Sequence, residues 1–189
     1  AVGAESMEAN TTGQDNTGIG YRALESNTTG SYNVAVGRVA CGSQTGGNRN
    51  TACGYYALGE NQGSENTAFG ARALDANTTG TTNTAVGLDA LGANTTASNN
   101  TAVGADAMRS STTSTSCVAI GANALYTLTT NSNCTAVGKD ALKTNAAEGS
   151  TAMGFAALEA NTTGEKNTAV GRLALAANTT GQANTAVGY

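Results

Sequence analysis

One glycine recurs along the whole chain at a nearly fixed interval, at Gly3, Gly20, Gly37, Gly54, Gly70, Gly87, Gly104, Gly121, Gly138, Gly154, Gly171 and Gly188. Nine of the eleven intervals are 17 residues and two are 16, so residues 1–189 read as a single repeat array with no room for a second domain. A repeat this short cannot bury its apolar face alone and must stack on its neighbours.

The consensus is Asn-Thr-Ala-Val-Gly-x-x-Ala-Leu-x-x-Asn-Thr-Thr-Gly-x-x, nearly unaltered from Asn83 to Asn99. The residue before the glycine is always apolar, which predicts a core column containing Val36, Val86, Val103, Val137 and Val170. Four residues after the glycine a second apolar column predicts burial of Leu24, Leu58, Leu74, Leu91, Leu142, Leu158 and Leu175. Alanine precedes both columns, with Gly18 and Ser6 as the exceptions. Successive strand residues face opposite sides, so Ala-Val and Ala-Leu pairs predict strands covered on both faces. One face looks into the coil, and the other needs a partner, most simply an identical chain.

Seventeen residues are too few for a strand, a crossover helix and their turns, and the frequent Asn, Thr and Gly weaken helices. The fold expected is therefore all-β, a parallel β-solenoid or β-roll of about eleven 17-residue coils, each with two short strands and two turns. Corners are assigned to Gly20, Gly37, Gly54, Gly70, Gly87, Gly104, Gly121, Gly138, Gly154 and Gly171, with stacked asparagines hydrogen-bonding along the rod. The two 16-residue coils are shortened around Gln62–Glu65 and Ala146–Gly149, in a loop rather than a strand.

The Asn-Thr-Ala-Val-Gly, Ala-Leu and Asn-Thr-Thr-Gly repeats resemble the head repeats of trimeric autotransporter adhesins. They also resemble the Asn-Thr-Ala-Val-Gly arrays of phage tail fibres that end in an endosialidase-type chaperone domain. The resemblance covers the whole chain and implies a left-handed, side-by-side trimeric β-roll whose role is attachment to surfaces. Its period of 17 departs from the 14 to 15 of the adhesin heads. Chain ends that fall inside repeats suggest a fragment of a longer fibre or filament.

Chemistry is scarce. With no histidine, a Ser-His-Asp or Cys-His system and any histidine metal site are excluded, no cofactor or metal is expected, and the chain is not expected to be an enzyme. A net charge of −4 without a basic stripe argues against nucleic acid, and no apolar run is long enough to enter a membrane. Cys117 and Cys134 replace the column-leading asparagine in adjacent coils, one rung apart, which makes them candidates for a disulfide. Eight Asn-x-Ser/Thr sequons read as turn chemistry. Tyr21, Tyr55, Tyr56 and Tyr126 are candidate surface contacts, able to stack on a cell-surface glycan or matrix receptor.

These features predict a structural and adhesive fibre segment, a rigid trimeric spacer with multivalent attachment, extracellular on a cell surface or virion. The same features admit two alternatives. One is a self-assembling extracellular filament subunit. The other is an ice-binding β-solenoid, suggested by Thr28, Thr78, Thr95, Thr112, Thr162 and Thr179, although consecutive Thr-Thr pairs should put their hydroxyls on opposite faces.

Overall fold

Three-residue segments with a small central residue recur in every coil, and in the computed structural model, which describes residues 1–189, each forms one strand. They are Thr17–Ile19 (β1), Val34–Val36 (β2), Thr51–Cys53 (β3), Thr67–Phe69 (β4), Thr84–Val86 (β5), Thr101–Val103 (β6), Val118–Ile120 (β7), Thr135–Val137 (β8), Thr151–Met153 (β9), Thr168–Val170 (β10) and Thr185–Val187 (β11). They pair in parallel and in chain order into one eleven-stranded sheet, the topology of a β-solenoid. At the start Val2 adds an isolated bridge to Ile19.

Register is kept across both 16-residue coils, where Thr51 pairs with Thr67 and Thr135 with Thr151. The missing residue comes out of the Thr-Thr corner. Asn61-Gln62-Gly63 and Asn145-Ala146-Ala147 stand where other coils have Asn-Thr-Thr-Gly.

The second apolar column does not form a strand, contrary to the two strands per coil expected. Leu91 lies in a run of tandem turns, in which Ala90 N donates to Gly87 O (3.5 Å), Gly92 N to Asp89 O (3.1 Å) and Asn94 N to Leu91 O (3.0 Å). Asp89 and Leu91 hold φ of 54° and 51°, as the third residue of a type II turn requires. Between these turns the chain bonds to its neighbours, Leu91 N to Ala107 O (3.0 Å) and Asp89 N to Ala71 O (3.1 Å). The winding turns both Ala90 and Leu91 inward, which a strand cannot do with adjacent residues.

The core is correspondingly narrow. Alanines from the strand centres, alanines of the turn and the leucine column form one continuous buried cluster. Leu24, Leu58, Leu74, Leu91, Leu142 and Leu158 are fully buried as expected, whereas Leu175 in the last full coil is partly buried against that cluster.

The valine column is not in this core. Val86 and Val170 are exposed, and Val36, Val103 and Val137 are half-buried. Strand alternation gives the reason. The central alanine, such as Ala85, takes the single inward position, so the flanking threonine and valine face out.

Glycine at the anchor is required twice over. The ten anchor glycines from Gly20 to Gly171 hold φ between 128° and 144°, a region closed to side chains. A Cβ on Gly87 would also lie 2.5 Å from the Gly104 carbonyl oxygen of the next rung. The asparagines of the two repeating columns, by contrast, do not hold left-handed backbone but point inward as two ladders, while Asn99, Asn123 and Asn133 elsewhere in the coils are left-handed. In one, Asn83 Nδ2 donates to Ala97 O (2.8 Å) while its Oδ1 accepts from Asn100 N (3.0 Å). In the other, Asn94 Nδ2 donates to Asn77 Oδ1 (2.7 Å), and Asn77 Nδ2 to Asn61 Oδ1 (2.6 Å) and Gly80 O (2.9 Å). Buried amides satisfied in this way replace water at the two corners of the coil.

Candidate interaction surfaces

Two outward surfaces of the coil are set by which columns its backbone turns away from the core. The sheet surface carries the threonine and valine of each strand. Of the fifteen large apolar side chains left exposed, fourteen stand in those two columns or in the column just after the anchor glycine, and only Tyr32 lies elsewhere. Phe69, Ile120 and Met153 belong to this strip at 47%, 41% and 46% exposure.

The tandem-turn surface carries most of the charge as ion pairs, two of them between rungs and four within a turn. Arg22 Nε bonds both Glu5 (2.7 Å) and Glu25 (3.1 Å), so two of the three carboxylates in the exposed Glu5–Glu8–Glu25 cluster share one guanidinium. Arg72 grips Asp89 through two hydrogen bonds of 2.7 and 2.6 Å. These residues, with Asp75, Gly92, Ala93 and Arg109, line an open cavity of about 280 Å³, created where Gly92 leaves a gap in its column. Burial, reinforced by Glu60, raises the Asp75 carboxyl. Asp89 is committed to Arg72, however, so the two carboxylates do not form an acid and base pair free to act on a substrate.

Three of the four tyrosines singled out in the sequence approach one another and one does not. Arg38 lies 5.7 Å from the Tyr21 ring, 5.4 Å from Tyr55 and 6.0 Å from Tyr56, and Tyr55 and Tyr56 meet edge to face at 4.7 Å. Tyr126 lies apart, its hydroxyl accepting from Arg109 (3.4 Å). Sequence reasoning missed Arg38 itself. The available signal was its position one rung from Tyr21 and Tyr55 in the column after the glycine.

The disulfide is not formed, and all four cysteines are free. Cys117 and Cys134 stack in the asparagine ladder and imitate it. Cys134 Sγ lies 3.3 Å from Ala147 O, and Cys134 N donates to Cys117 Sγ (3.5 Å). A hydrogen bond from Cys117 lowers Cys134 despite burial, with help from the Ser150 and Gly149 backbone and Asn145, while Cys117 is raised by the same hydrogen bond and by burial. Burial alone pushes Cys41 up to about 12. Leu128, in the second ladder between Ser111 and Asn145, completes an apolar interruption of both ladders in the same coils.

The sequon asparagines Asn27, Asn77, Asn94 and Asn161 are fully buried, with their amide nitrogens donating within the ladder. Thr28, Thr78, Thr95, Thr112 and Thr162, the column that motivated an ice-binding reading, each donate a hydroxyl to a threonine carbonyl of the next coil.

No family model matches the chain, and neither a curated protein nor a solved structure is significantly similar to it. No helix is long and apolar enough to cross a membrane.

Proposed function

We propose that this chain is a segment of a structural and adhesive fibre, a rigid spacer whose solenoids associate side by side in threes on a cell surface or virion. The observation that carries the reading is the apolar strip on the sheet surface. It runs the length of a rod on the order of 50 Å, and a contiguous exposed apolar strip of that extent marks an interaction site. Its strand positions are mostly β-branched, with Cys53, Phe69 and Met153 as the exceptions, are held on a continuous parallel sheet and carry no charge, while ion pairs gather on the adjoining turn surface. A repeated, self-similar stripe suits association with identical copies, and three copies around an axis follow the adhesin-like repeat signature. The absence of histidine and the commitment of Asp89 to Arg72 both support a structural rather than catalytic role.

Small-angle scattering on the purified chain tests this directly. The expectation is a rod about 50 Å long whose cross-section holds three solenoids. A single-solenoid cross-section at high concentration would contradict it.

One observation favours a second reading. Thr84, Thr101, Thr135 and Thr168 stand in a regular row on the sheet surface, and their hydroxyls take no part in coil-to-coil hydrogen bonds. Such a row could order water as an ice-binding surface does, and it is distinct from the column of Thr28, Thr78, Thr95, Thr112 and Thr162, whose hydroxyls bond to the next coil. Phe69 and Met153 project from the neighbouring valine column and roughen the plane. Thermal hysteresis that is lost in Thr101→Leu would establish this reading over the first.

A further inference from the structure

The column after the anchor glycine holds a constellation that occurs twice. In the first copy, Arg38 sits between the rings of Tyr21 and Tyr55 and donates from Nη1 to the Tyr55 hydroxyl (3.2 Å). In the second, Arg172 sits between Phe155 and Tyr189, at 5.5 and 5.3 Å, and donates from Nη1 to the Tyr189 hydroxyl (2.7 Å). Arg38 and Arg172 are also the two arginines with no carboxylate partner, whereas Arg22, Arg49, Arg72 and Arg109 are all ion-paired. In a chain with net charge −4, two uncompensated guanidiniums in the same structural setting call for an explanation.

Stability of the stack explains only part of the arrangement. Ring stacking uses the faces of a guanidinium and leaves its edge, where most of its five N–H donors lie, open to a planar anion. Tyr21, Tyr55 and Phe155 are 40%, 48% and 43% exposed, so apolar ring surface is available beside that edge. An edge that binds a carboxylate next to a ring that accepts the C–H face of a sugar matches a carboxylated pyranose. We propose that Tyr21–Arg38–Tyr55 and Phe155–Arg172–Tyr189 are two equivalent subsites for the uronate units of an acidic polysaccharide. They lie eight rungs apart, about 38 Å, so one long polymer can occupy both and bind with an effective concentration that a single sugar lacks. This assignment rests on the attachment role proposed above and gives it a ligand class.

The test is calorimetric titration of the full chain with oligogalacturonate, with the methyl-esterified oligomer as the uncharged control and light scattering on the same samples. The expected result is binding of the acid form and little of the ester. Arg38→Gln combined with Arg172→Gln should lower affinity by about tenfold or more, the size expected for lost charge-assisted hydrogen bonds, with an unchanged circular dichroism spectrum. Arg38→Lys keeps the charge without the planar fork and should recover only part of the loss. Equal binding of acid and ester, unchanged affinity in the double variant, or no binding by the wild type would each overturn the proposal. A titration that fails while the oligomer persists removes the subsites alone, whereas loss of the oligomer removes the fibre reading.

Discussion

Leu91 shows how much local strain this coil holds. A left-handed backbone costs a side-chain-bearing residue roughly 1–2 kcal/mol, yet the leucine column adopts it in almost every coil. Full burial of a leucine returns about 1.5–3 kcal/mol, and the turn also makes a rung-to-rung hydrogen bond, so the exchange favours the coil. No such compensation exists at the anchor glycines, where the obstacle is the backbone of the next rung. Gly87→Ala should therefore destabilise the chain by about 2–4 kcal/mol, read as a lower denaturation midpoint, whereas Gly46→Ala, at a corner where a Cβ would meet only the movable Thr29 hydroxyl at 3.2 Å, should change it by less than about 1 kcal/mol. Asp140 provides the pH-sensitive case. Burial would raise its carboxyl, but hydrogen bonds from Lys139 (2.5 Å) and Asn123 (3.0 Å), with Lys143 nearby, hold it below the ordinary range. A depressed folded value means that its stabilisation is present above about pH 4 and is lost as pH falls through that folded value. Asp140→Asn should accordingly be less stable than wild type at pH 7, and the gap should close in melts at acidic pH.

At the scale of the strand, turn and ladder, the spacing of the glycines made the parallel register legible, including the placement of both deletions in a corner. The tandem turns were not legible, because nothing in Ala-Leu distinguishes a strand from a turn that directs both residues inward. That ambiguity also misplaced the valines. With two strands per coil both apolar columns look internal, but one strand and one turn leave room inside only for alanine and leucine. The ladders were half legible. Asparagine stacking followed from the repeat, but the inward direction did not, and neither did the way Cys117, Cys134 and Leu128 jointly replace amides in neighbouring coils. The interruption leaves buried groups without partners, namely Asn94 Oδ1 and the Ser111 and Ser114 hydroxyls. Ser111→Asn would let the new amide donate to Asn94 Oδ1, and an increase of about 1 kcal/mol in unfolding free energy is expected. The buried sequons carry a second consequence. Glycan transfer acts on unfolded chain, so production through a eukaryotic secretory lumen should modify Asn27, Asn77, Asn94 or Asn161 at the nitrogen the ladder uses, and the glycosylated product should fail to show the β spectrum of unmodified protein.

For the whole molecule, nearest-neighbour stacking makes stability a sum over rungs, so a local substitution weakens one interface without abolishing the rod. The sheet strip is different in kind, because it adds along the length and confers nothing on an isolated chain. Association through it is the claim on which the functional account stands. Light scattering that compares the wild type with a Val86→Glu, Val103→Glu double variant tests that claim most directly, since both side chains point away from the core and the variant should keep its solenoid spectrum. The account predicts a wild-type mass three times the 18.6 kDa of the chain and a single-chain mass for the variant. A wild type that remains a single chain, or a variant that assembles as well as the wild type, would contradict it.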